Sequence, residues 1–100
     1  MIIRIFDTAV DPADVERAKE LFRTKARPAF EAFEGCHGIE MYIGVEEHSK
    51  DLVPVAAISR WDSARLIDLA VASDEYTEAL RDLRLLFAET PLVRHFENVD

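Results

Sequence analysis

One cysteine in 100 residues excludes an internal disulfide, and Cys36 has no second thiol with which to share a metal. Basic side chains are also scarce. Twelve of them against 20 acidic ones leave a net charge of −8, which argues against nucleic acid or an anionic membrane as partner. No apolar run approaches the thickness of a bilayer, so no membrane partner is expected. The opening residues Met-Ile-Ile-Arg lack the apolar core of a signal sequence, and a soluble, cytoplasmic protein is expected. His37, His48 and His95 lie in separate segments without metal-ligand spacing, so no metal site is expected. There is no repeat, linker or low-complexity segment. What is present is apolar: 49% hydrophobic residues argue against disorder and for a single domain spanning 1–100. One sheet with two helices would leave part of that surface uncovered, which favours an oligomer.

The hydrophobic pattern sets out the elements in order. Residues 2–10 read as a central strand, with Ile3 and Ile5 on one face and Ile2, Arg4 and Phe6 on the other. Asp11-Pro12-Ala13-Asp14 is a helix start, with Asp as cap and Pro in the first turn. Val15, Ala18, Phe22, Ala26, Ala29 and Phe33 then form one helical stripe. Pro28 lies inside it, and a kink or break near Arg27 is expected. Gly35 ends the helix. His37–Val45 alternates as a second strand, and Glu46–Asp51 is a charged hairpin loop. The third strand starts near Val53, with weak or one-sided pairing at Pro54, and closes at Trp61, the only Trp. Asp62 or Ser63 caps the next helix and Ser73 a further one, whose stripe is Tyr76, Ala79, Leu80, Leu83 and Phe87. Pro91 stops it, and Leu92–Val99 is the last strand.

The order βαββαβ, with right-handed crossovers, predicts an α+β, ferredoxin-like fold: a four-stranded antiparallel sheet with both helices on one face. Ile2, Phe6, Ala56 and Ile58, with Arg4 and Arg60, are expected on the open face. That mixture is too apolar for water and implies a homodimer.

Three stretches carry a family resemblance: Phe33-Glu34-Gly35-Cys36-His37-Gly38-Ile39-Glu40-Met41-Tyr42, Ser59-Arg60-Trp61-Asp62-Ser63, and Ser73 twelve residues after the Trp. Together they resemble the antibiotic biosynthesis monooxygenase family over nearly the whole chain. The resemblance implies a dimeric α+β barrel with a pocket between sheet and helices. The family it resembles includes cofactor-free oxygenases of quinols and polyketide aromatics, haem-degrading enzymes and many members of unassigned role. Several family positions differ. Ala70 and Glu75 stand where many members carry His, and Ala57 stands where the polyketide oxygenases carry Asn. The haem degraders' first-strand Asn and second-helix His have no counterpart, since the only Asn is Asn98 and no His lies between His48 and His95.

The expectation is therefore a cofactor-independent monooxygenase acting on a small aromatic of the phenol, quinol or polyketide type, with no cofactor. The alternative is a non-catalytic homodimer that binds a small apolar ligand or serves assembly. Trp61 is expected either as pocket wall and substrate platform or as core filler. Asp7 is expected as the general base if it shares the pocket face with Ile3 and Ile5, and otherwise as a strand-end acid in water. Phe22, Met41, Ser59 and Tyr76 complete the expected ligand contacts. His37 is expected to face the helices, His48 to be solvated, and His95 to lie at the dimer seam. Arg4, Glu40 and Arg60 are expected as an ion network on the open face that could also hold an anion. Nothing near Cys36 marks it as reactive.

Overall fold

The computed structural model describes residues 1–46 and 51–100. The expected hairpin loop therefore falls largely outside the described residues, and His48 with it. Two long strands, β1 (Ile2–Val10) and β3 (Val53–Trp61), run antiparallel through the middle of the sheet. β2 (Cys36–Ile43) flanks β3 and β4 (Leu92–Glu97) flanks β1, giving the order β2-β3-β1-β4. This is the predicted ferredoxin-like sheet. All the helices pack on one face, leaving the other open. Among the described residues, no helix is long and apolar enough to cross a membrane.

The register corrects the assignment of faces. Arg4 pairs with Ser59, Ile5 with Ile58 and Phe6 with Ala57. Residues directly opposite on antiparallel strands share a face. Arg4, Phe6 and Thr8 therefore point under the helices beside Ser59, and Ile2 packs against the buried cluster there. Ile3, Ile5 and Asp7 lie on the open face with Ala56, Ile58 and Arg60. Both faces of β1 are mostly apolar, so alternation alone could not tell them apart.

The first helical stretch starts as predicted. Asp11 accepts from the Ala13 N–H at 2.9 Å, and Pro12 opens a short 3₁₀ turn (Pro12–Asp14) before α1 (Val15–Leu21). Pro28 does not break the helix. Instead a π-helical turn covers Phe22–Ala26, in which the Arg27 N–H reaches back to the Phe22 carbonyl, and α2 (Arg27–Ala32) continues beyond it. A widened turn relieves the clash that a proline ring makes with the carbonyl four residues earlier. It also advances the phase, so Phe30 is buried where the regular stripe placed Ala29.

Gly35, at φ +80°, turns the chain into β2, and a β-carbon there would collide with Leu66. A bulge at Gly38 (φ +129°) separates the Cys36–Trp61 pair from the Ile39–Ser59 pair. Cys36 and Ile39 both reach the core as a result, and His37 is turned outward, against expectation. Ser63 caps α3 (Ala64–Val71) by accepting from the Leu66 N–H at 3.3 Å. Ser73 accepts from the Tyr76 N–H at 3.2 Å to cap α4 (Asp74–Arg84). α4 stops short of Phe87, which instead bridges Val10 while the Ala88 N–H bonds the Ala9 carbonyl at 2.8 Å.

Candidate functional site

The two halves of the helical layer meet the sheet around an aromatic cluster. Trp61 is fully buried. Its indole lies near-parallel to Phe33 at 6.2 Å and edge-on to Phe30 at 6.1 Å. Its Nε1–H donates to Ser59 Oγ at 2.8 Å. That bond settles a donor that would cost about 1–3 kcal/mol if buried without a partner. The Tyr76 ring joins the cluster from α4, 5.8 Å from Phe30. Its far end reaches a different environment.

There Arg4 is held beneath the helices with only 8% of its surface exposed. Its Nη2 donates to the Tyr76 hydroxyl at 3.0 Å, and its Nη1 lies 2.9 Å from His95 Nε2. A guanidinium has no acceptor, so His95 Nε2 accepts and the imidazole carries its proton on Nδ1. Among the described residues, no carboxylate lies within ion-pair distance of Arg4. On the outer side of Tyr76, the Arg84 guanidinium sits 5.8 Å from the ring centroid. It too lacks a carboxylate partner among the described residues.

Two spaces meet at this point. An apolar inner cavity of about 50 Å³ lies between sheet and helices, lined by Phe22, Phe30, Met41 and Ser59 among others. An open outer groove of about 650 Å³ runs between α4 and the segment leading into β4, lined by Arg84, Glu89 and Pro91 among others. Arg4, Phe6, Tyr76 and Phe87 line both and form the partition.

Four of the expected ligand contacts, Phe22, Met41, Ser59 and Tyr76, thus line the inner cavity. Trp61 does not. It stands behind Phe30 and Ser59 as core, and the expectation of a pocket wall is corrected accordingly. Asp7 is also misplaced in the sequence reading. It lies on the open face, its carboxylate 3.8 Å from Arg94, because the register turns Ile3, Ile5 and Asp7 away from the helices. His95 lies exposed on β4 opposite Arg4, on the same side of the sheet. His37 Nε2 lies 2.6 Å from Asp62 Oδ1, with both side chains about half exposed. The expected ion network loses Arg4 but keeps Arg60, whose Nη2 is 3.3 Å from Glu40 Oε1. Beside it Tyr42 donates to Glu40 Oε2 at 3.0 Å, and that bond to a carboxylate pushes its phenol above the usual range. Burial pushes the Cys36 thiol up as well, and the nearby Glu31 charge adds to this. The described residues contain no cluster of metal-ligating side chains.

Sequence reasoning missed Arg84 and Glu89 entirely and placed Arg4 on the wrong face. The usable signal was Arg4 itself, a cation in the middle of a strand otherwise apolar on both sides.

No protein-family model matches the chain, and no curated protein matches it in sequence. Solved structures do match in shape. A structure described as an antibiotic biosynthesis monooxygenase from Nitrosomonas europaea superposes with a TM-score of 0.81 at 11% identity, covering 100% of both chains. One of the same description from Bordetella bronchiseptica gives 0.79 at 23% identity over 98% of this chain and 96% of that one. A mutant of SnoaB, a cofactor-independent oxygenase from Streptomyces nogalater, gives 0.74 at 20% identity over 99% and 93%. The chain has the α+β fold of these proteins over its whole length. The resemblance drawn from sequence is borne out at the level of the fold.

Proposed function

We propose that the chain is a cofactor-independent monooxygenase that oxidises a small aromatic phenol, quinol or anthrone through its anion. The observation that carries this is Arg4, a buried guanidinium with no carboxylate partner among the described residues, at the boundary between an apolar cavity and an open groove. A buried cation is costly when unpaired, so a ligand oxyanion is the partner this site favours. A substrate bound as its anion needs no separate base, and its proton leaves to water as it binds. The name of one structural neighbour, a cofactor-independent oxygenase, agrees with this chemistry.

The two spaces divide the reactants. The groove has the size of sites that hold drug-like molecules, about 300–1,000 Å³. The inner cavity, at about 50 Å³, is far below the roughly 150 Å³ that admits benzene, but suits a small apolar gas such as dioxygen. For an anthrone, the methylene carbon loses a proton and the resulting enolate is held by Arg4 N–H groups. One electron passes to dioxygen, and the radical and superoxide combine into a C–O–O⁻ peroxide. Protonation and loss of water leave a carbonyl, so that R₂CH₂ + O₂ gives R₂C=O + H₂O. Tyr76, whose hydroxyl accepts from Arg4, keeps its own proton to donate to the substrate oxygen.

The homodimer belongs to the same proposal. Ile3, Ile5, Ala56 and Ile58 form an apolar centre on the open face, flanked by the Arg60–Glu40 and Arg94–Asp7 pairs. A second copy of this face would cover it.

A second reading, a non-catalytic binder of aromatic anions, is favoured by the lack of a carboxylate among the described residues that line the inner cavity. Oxygen-electrode measurements with an anthrone separate the two. The oxygenase predicts uptake above the buffer rate that falls about 10²–10³-fold in Arg4→Gln, the usual loss for an oxyanion donor. Uptake at the buffer rate in the wild type, with the anthrone still bound, establishes the binder instead.

A further inference from the structure

We infer that the outer groove selects substrates bearing a carboxylate, and that Arg84 is the residue that reads it. The inference rests on the reading of the groove as the substrate site and deepens it. Arg4 and Arg84 both contact Tyr76: Arg4 bonds its hydroxyl at 3.0 Å, and Arg84 lies over its ring at 5.8 Å from the centroid. Both line the groove, and neither has an ion-pair partner among the described residues. This occurs in a chain whose acidic side chains outnumber its basic ones 20 to 12. Arg60, Arg94 and Arg81 are each paired with an acid, Glu40, Asp7 and Glu78. Arg17, Arg23, Arg27 and Arg65 have no ion-pair partner among the described residues either, but they are exposed and lie outside the groove, whose only arginines among the described residues are Arg4 and Arg84.

Glu89 also lines the groove and has contacts of its own. It leaves the groove with two cations to one anion. Guanidinium groups present paired N–H donors that match the two oxygens of a carboxylate. The apolar groove walls, Phe6, Phe87 and Val93, suit a flat ring. The fitting ligand is an aromatic acid, with its ring against these walls, its carboxylate toward Arg84, and its oxidisable oxygen toward Arg4. Two of the five Arg4 N–H groups are used by Tyr76 and His95, leaving others to face the ligand.

The test is calorimetric titration without turnover, using 2-naphthoate and its neutral analogue 2-naphthalenemethanol. The wild type should bind the acid about tenfold or more tightly than the alcohol, with the acid weakened by salt. Arg84→Gln should lose about tenfold for the acid and leave the alcohol unchanged. Arg84 is exposed on α4, so this variant should fold. Arg81→Gln, one turn earlier and paired with Glu78, should bind both as the wild type does. Equal binding of acid and alcohol, or an unchanged affinity in Arg84→Gln, would overturn the inference. So would inorganic phosphate competing as well as naphthoate, which would show that the ring plays no part. Because neither probe is oxidised, the result is independent of whether the chain consumes oxygen.

Discussion

The two faces of the sheet carry similar materials arranged to different effect. Each presents β-branched or aromatic side chains from β1 and β3 with arginine among them. On the open face, Arg60 and Arg94 are each matched with a carboxylate, Glu40 and Asp7. Their side chains remain about half exposed. On the covered face, Arg4 is almost wholly withdrawn from water, and its partners among the described residues are a phenol and an imidazole. Desolvation makes an unmatched cation far costlier on the covered face than on the open one. A face whose charges are already satisfied suits burial against another protein surface. A buried charge that is hydrogen-bonded yet has no carboxylate among the described residues suits a ligand that comes and goes.

The largest expected effect tests whether the covered face is held by its aromatic end. Trp61→Ala should cost about 3–5 kcal/mol in denaturant unfolding, as truncation of a fully buried indole. Trp61→Phe should cost less and leave anthrone oxidation near the wild-type rate, since the indole does not line the cavity. A collapse of activity in a folded Trp61→Phe would return Trp61 to the pocket wall.

Next in size is a charge on the open face. Ile58→Asp should shift the mass in light scattering from twice 11.4 kDa to 11.4 kDa, because an unpaired charge in a buried interface costs on the order of several kcal/mol. A wild type that already runs as a monomer would mean that this face meets water.

Asp7→Asn should change little on either count. The pair with Arg94 is long and half exposed, so its loss should cost under about 1 kcal/mol. Oxygen uptake should stay at the wild-type level, because Asp7 lies across the sheet from the cavity. Lost activity in this variant would restore it as the base.

The smallest effect is set by Cys36. Burial raises its thiol pKa in the folded chain above the ordinary value of 9.0. As pH rises past 9.0 the unfolded chain releases this proton first, so the folded state holds more protons and stability falls. Cys36→Ala should flatten the fall in melting temperature between pH 8 and about pH 10. An identical pH profile in the two proteins would mean that the thiol is not withdrawn from water.

Much of the fold was legible in the sequence because local signals agreed with the global pattern. Ser63, Ser73 and the Asp11-Pro12 start each cap where their side chains predict. The four strands fall close to their expected bounds. What escaped were features of phase. In β1 both faces are apolar, so periodicity gave the strand but not its orientation, and that single ambiguity reversed the places of Arg4 and Asp7. The π turn before Pro28 and the bulge at Gly38 each shift the count by one, bringing Phe30 in and turning His37 out. The candidate site was legible in part, through Phe22, Met41, Ser59 and Tyr76. Its charged end was not, because Arg4, Tyr76, Arg84 and His95 are brought together only by tertiary packing.

If Arg4 makes the bound substrate an anion, the absorption spectrum of a bound anthrone will show it. The measurement is made without oxygen, at a pH where the free anthrone is neutral. A saturable long-wavelength enolate band is expected in the wild type and is lost in Arg4→Gln. An anthrone that binds yet keeps its neutral spectrum, or an enolate band of equal strength in Arg4→Gln, would contradict it.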